Sequence, residues 1–157
     1  MQQIEIDAEL RLFFLDEAEA LAAGILAGIQ SLILGAAGDE VQEHMRRGFH
    51  TLKGGAAQIS GCNSLAGCAH KAERLAQGLV HNFAVASPAL LGLLADAVRA
   101  IIELINATRL TGTMPDYSPA LSERLESANQ RLLKVESAAM SASAPLQFPQ
   151  PIVDAIR

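Results

Sequence analysis

The amino-acid sequence predicts an all-α fold, an antiparallel four-helix bundle with an additional fifth helix at its C-terminal end. Three observations predict it. Half of the 157 residues are apolar, chiefly Ala and Leu, while only 4% are aromatic and Trp is absent. Such a composition favours helices packed closely on one another. Apolar residues then recur at three- and four-residue steps through five separate segments. Short stretches rich in Gly, Pro and Ser divide those segments, as helix breakers do.

The first segment spans roughly 7–34, with Leu10, Phe13, Phe14, Leu21, Ile25, Ile29 and Leu32 as its apolar stripe and Glu17 the one polar member. Gly35 and Gly38 end it, in the manner of glycines at helix C-termini. The second opens near Asp39 and carries Val41, Met45, Phe49, Leu52, Ala56 and Ile59. Its steps of 4, 4, 3, 4 and 3 are the cleanest helical period in the chain. Ser60-Gly61 breaks the pattern, and Asn63 or Ser64 caps a third helix that buries Leu65, Ala69, Ala72, Leu75 and Leu79. Ser87-Pro88 is a start signal, a capping residue followed by proline at the first helical position. The fourth helix then presents Leu90, Leu91, Leu94, Val98, Ile101, Ile102 and Ile105. Ser118-Pro119 repeats the signal, and Leu121, Leu125, Ala128, Leu132 and Val135 form a fifth. From Ser141 the text carries three prolines at 145, 149 and 151 and no period, so residues 1–140 read as the domain and 141–157 as a linker or tail.

Composition also bounds function. The formal charge of −5 disfavours nucleic acid, whose phosphates demand clustered cations. The single basic concentration is Arg46, Arg47 and Lys53, around His50. Cys62 and Cys68 make no disulfide framework, and free thiols suit a reducing cytosol. The opening MQQIEIDAEL has acids where a signal peptide has cations. Arg99 and Glu103 interrupt the best apolar stretch, so no membrane span is expected. The chain is therefore expected to be cytoplasmic.

The chemistry concentrates on the second helix. At about 100° per residue, positions 43, 46, 47, 50, 53, 54 and 57 lie away from the Met45–Phe49–Leu52–Ala56 seam. His50 thus projects outward with Arg46 and Arg47 a turn before it and Lys53 and Gly54 a turn after. An outward histidine among three cations suits an anionic ligand or a phosphorylated state; the same pattern also describes an ordinary solvated face. Gly48, Gly54 and Gly55 sit inside this helix, each costing about 1 kcal/mol against alanine. Gly48 suits a close helix approach. Gly54, directly above His50, clears space beside the imidazole for another protein surface. On the third helix, His70, Glu73 and Gln77 form a polar stripe. Antiparallel packing of the two helices would bring Glu73 near His50, where a carboxylate accepting from Nδ1–H leaves Nε2 free as a nucleophile. Spacing alone also fits Glu73 as a partner for Arg74 or as a solvated charge.

The stretch FHTLKGGAAQISGCNSLAGCAHKAERL, Phe49 to Leu75, resembles the core of a histidine-phosphotransfer (HPt) domain. His50, Thr51, Leu52, Lys53, Gly54, Gly55, then Gly61, Leu65, His70 and Glu73 follow that family's order of residue types. FFLDEAEALAAGI and the fifth helix make it most like the N-terminal phosphotransfer domain of the chemotaxis histidine kinase CheA, over roughly residues 7–138. One departure is a turn after the second helix that is a residue longer, with Ser60 as the insertion. The resemblance implies that His50 is the phosphoacceptor at Nε2, that Lys53 assists the phosphoryl group, and that His70 and Glu73 hydrogen-bond around the imidazole. It implies a kinase catalytic domain, in cis or in trans, as donor and a response-regulator receiver aspartate as acceptor. Receiver choice would fall to the surface at Arg46, Arg47, Gly54, Ala57 and Gln58. No cofactor is expected in this domain, since ATP and Mg²⁺ come with the partners, and the sequence has no phosphate-binding glycine loop. It is expected to carry a phosphoryl group, as part of a CheA-like kinase, without catalysing on its own.

Other readings remain open at this level. The chain could be a free-standing phosphorelay protein, or a helical adaptor whose histidine is incidental. A metal site at Cys62, Cys68 and His70 with His50 or His44 has permissible ligand types. Its spacing is not that of a zinc motif, however, and residues 68 and 70 of one helix point about 200° apart, so no metal is expected.

Overall fold

The computed structural model describes residues 2–35 and 38–147, with side chains described for 7–35 and 38–141. These residues form five helices and no strand: α1 (Gln2–Ile33), α2 (Asp39–Gln58), α3 (Asn63–Val80), α4 (Pro88–Thr111) and α5 (Pro119–Gln147). α1 packs on α2 and α4, α2 on α3, and α3 on α4, closing a four-helix ring. α5 lies outside it, against α3 and α4.

Most local signals act as their chemistry requires, but neither Asn63 nor Ser64 caps α3, which starts at Asn63 behind Cys62 with no side-chain cap. Ser87 accepts from the backbone N–H of Leu90 at 3.1 Å and Ser118 from that of Leu121 at 3.3 Å, so both Ser-Pro pairs start helices. Gly112, at φ 82°, ends α4 in the left-handed conformation that costs glycine least. Gly61, at φ 84°, turns the four-residue connection from α2 into α3, short enough to force the two helices antiparallel.

The core is aliphatic. Phe49, Leu52, Leu65, Leu75, Leu94, Ile101 and Leu125 are among its buried residues, as their periods predict. α1 departs from its expected stripe. Its buried face is Phe14, Leu15, Ala18, Ala22, Ile25 and Ile29, whereas Leu10 and Phe13 are more than half exposed. α1 has more apolar residues than one face can hold, so periodicity could not choose among adjacent positions. Val135, expected on the packed stripe of α5, is also exposed.

Two glycines let α1 approach α2. A methyl on Gly48 would stand 2.7 Å from the Ile25 side chain, and one on Gly55 2.7 Å from the Phe14 ring. The α5 backbone remains helical to Gln147, past Ser141 where the apolar period stops. Ala and Ser leave no period to read, yet alanine favours helix. The rest of the segment read as linker or tail, residues 148–157, lies outside the described residues. No helix among the described residues is long and apolar enough to cross a membrane.

Candidate functional site

The middle of the α2–α3 seam holds three polar side chains in direct contact. Glu73 is buried, with 3% of its surface exposed. Its Oε2 lies 2.7 Å from Nδ1 of His50, and its Oε1 lies 2.6 Å from the Lys53 ammonium. Each carboxylate oxygen therefore has its own donor. His50 and Lys53 stand one turn apart on α2, and the antiparallel register sets Glu73 opposite both. Burial pushes the Glu73 carboxyl up, but the hydrogen bonds from Lys53 and His50 and the charges behind them prevail, holding it below the usual carboxylate range.

The ionised carboxylate can only accept, so His50 presents Nδ1 as its N–H. In the neutral ring Nε2 then carries the lone pair. The His50 side chain is 60% exposed. The arrangement is thus an exposed imidazole, a buried anion beneath it that favours the Nδ1–H tautomer, and a cation alongside, which is what a histidine nucleophile would need.

The other residues singled out from the sequence divide into two groups. Gly54, Ala57 and Gln58 lie on the same outward side of α2, and a methyl at Gly54 would meet nothing within 4 Å. Arg46 and Arg47 also lie there, but both turn to Glu43. Arg46 forms a two-pronged pair with it at 2.8 and 2.6 Å, and Arg47 approaches to 3.8 Å. The role of Glu43 went unread, although its spacing of three and four from the arginines signals it.

His70 does not join the site. It is exposed and makes no hydrogen bond to His50 or Glu73. It lines an open groove between α3 and α5 with Lys71, Arg74, Asn129 and Leu133. Three residues from Glu73, it is rotated about 60° around α3 and carried past the seam. The expected polar stripe is accordingly split, with Glu73 buried inward and His70 outward. Cys62 and Cys68 are both buried. Burial pushes the Cys68 thiol up to about 12. Among the described residues, no group of three His, Cys, Asp or Glu side chains could hold a metal ion.

Comparison with protein families returns one description, Hpt domain, matching residues 9–108. That span is more than half of the chain and contains the whole His50–Lys53–Glu73 site. The chain belongs to the Hpt domain family. Membership places this Hpt domain in histidine phosphotransfer within two-component or phosphorelay signalling. The match ends before α5 begins, so the fifth helix is additional to the shared bundle. No curated protein and no solved structure matches the chain significantly.

Proposed function

We propose that His50 is the phosphoacceptor of this Hpt domain, taking a phosphoryl group at Nε2 from a kinase catalytic domain and passing it to a receiver aspartate. The observation that carries the reading is the Nδ1···Oε2 contact of 2.7 Å between an exposed imidazole and a buried carboxylate. On loading, the Nε2 lone pair forms a bond to phosphorus while the bond from phosphorus to the leaving oxygen of the donor breaks. On transfer, a carboxylate oxygen of the receiver attacks phosphorus and the electron pair of the N–P bond returns to Nε2. The Nδ1 proton stays on its bond to Glu73 in both steps. Lys53 sits beside the same carboxylate and offers positive charge next to the incoming phosphoryl oxygens. ATP and Mg²⁺ belong to the partner domains, which supply most of the transition-state stabilisation.

The same reading assigns the outward surface at Arg46, Arg47, Gly54, Ala57 and Gln58 to receiver docking. It leaves His70, which the family resemblance drew into the site, at most an indirect part. The additional fifth helix supports a CheA-like chemotaxis kinase as the parent protein over a minimal phosphorelay carrier, and with it a cytoplasmic setting.

The test is to incubate the chain with a CheA-type catalytic domain and ATP, or with a phosphorylated receiver domain, and to map label by mass spectrometry. An acid-labile, base-stable phosphate on His50, absent from His50→Gln, is the expected result. A folded chain that takes no label from several donors overturns the reading and favours the adaptor.

A further inference from the structure

We propose that Glu43 is a positioning residue that holds Arg46 and Arg47 away from His50 and yields them to a phosphoryl group once one is bound there. The inference rests on His50 being the phosphoacceptor. Glu43, Arg46, Arg47 and His50 occupy one outward strip of α2, with the two arginines in the turn between the carboxylate and the imidazole. Arg46 reaches Glu43 through both Nε and Nη2, and Arg47 shares Oε2 of the same carboxylate.

Helical side chains lean toward the N-terminus. The arginines accordingly reach back to Glu43, while the imidazole, one turn on, reaches across the seam to Glu73. Each of these three cations thus faces a carboxylate, Lys53 that of Glu73 and Arg46 that of Glu43 in close pairs, with Arg47 more loosely placed 3.8 Å from Glu43. Around the helix axis Arg46 falls on the same side of α2 as Lys53, whose ammonium meets Glu73. The hydrogen bond to Glu43 is the main cause of its raised pKa, burial opposes it, and the charges of Glu43 and then Glu73 add to it.

A phosphoryl group changes the balance. It carries about −1.5 to −2 charge and three strong acceptor oxygens, against a single negative charge on Glu43. Guanidinium groups bind such an anion through two parallel N–H bonds. The stronger anion, one turn away, draws the arginines off the carboxylate by rotation of their side chains alone. Glu43 is then left facing solvent, where it is already partly exposed. The competition sets how firmly the phosphoryl group is held, and so how readily it leaves for a receiver.

Phosphoramidate tests this without a cognate kinase. The Nε2 lone pair forms the N–P bond, the donor's own P–N bond breaks, and ammonia leaves. The unmodified chain, Glu43→Gln, the Arg46→Gln/Arg47→Gln pair and the triple variant are labelled, freed of donor, and followed by intact mass at low and high salt. Freed arginines stabilise the phosphorylated state, so Glu43→Gln is expected to lengthen the label's half-life about threefold to tenfold at low salt. That gain should collapse near 1 M salt, where screening acts within about 3 Å, and should be absent from the triple variant. Equal half-lives, or a gain that persists without the arginines, overturn the inference while His50 remains the acceptor. No label on His50 in any folded variant overturns the phosphoacceptor reading and this inference with it.

Discussion

Glu73 lies buried beneath an imidazole that is mostly exposed, its Oε2 2.7 Å from Nδ1 of His50. A carboxylate in that position costs desolvation energy unless its oxygens are occupied. Here His50 and Lys53 each occupy one, so the cost is offset by the same contacts that orient the ring.

Replacing the charge while keeping the shape isolates that orienting effect. Glu73→Gln is expected to slow labelling of His50 by about tenfold or more, since the neutral amide no longer enforces the Nδ1–H tautomer. Thermal unfolding should remain a single cooperative transition. Labelling at the unmodified rate would show that the tautomer is set by something else.

Lys53→Met removes the second donor and leaves one buried oxygen without its cation. The expected loss is about 1–3 kcal/mol of stability, together with slower loading. Urea unfolding measures the first and phosphoramidate labelling the second. Full stability in the variant would mean that water replaces the ammonium at no cost.

The depressed Glu73 pKa also makes stability depend on pH. A carboxyl held below its ordinary value of 4.5 adds stability above that value and loses it as the pH falls through the folded value. The stability advantage of the unmodified chain over Glu73→Gln should therefore be constant near neutrality and shrink below about pH 4.5. Urea midpoints of both proteins across this range decide it. An advantage that grew on acidification would contradict the charge-assisted pair.

The glycines of α2 should respond in opposite directions. Gly54→Ala meets open space, so it is expected to stabilise the chain by roughly 0.5–1 kcal/mol through helix propensity. In the proposed docking role it should also slow transfer to a receiver. Gly48→Ala and Gly55→Ala push methyls into Ile25 and Phe14, and a net loss of about 1–2 kcal/mol is expected from displacing α1. Melting curves of the three variants separate clearance from packing. A destabilised Gly54→Ala would remove the argument for clearance.

The sequence by itself determined the fold class, the five helices and the nucleus of the site. Helical periods survive without tertiary context because one face of each helix must be apolar, and Ser-Pro and glycine signals act within a single turn. The four-residue step from His50 to Gly54 and the three-residue step to Lys53 are likewise local facts. Only the tertiary structure decided what depends on rotation about a helix axis and on register between helices. It placed Glu73 rather than His70 beneath the imidazole, and left Phe13 outside while Phe14 packs on Gly55. Each of those choices hangs on a difference of one to three residues around a helix, about 60–100°, to which an apolar period is blind. Packing against α1, α3 and α5 resolves it, because a buried face admits only one rotation.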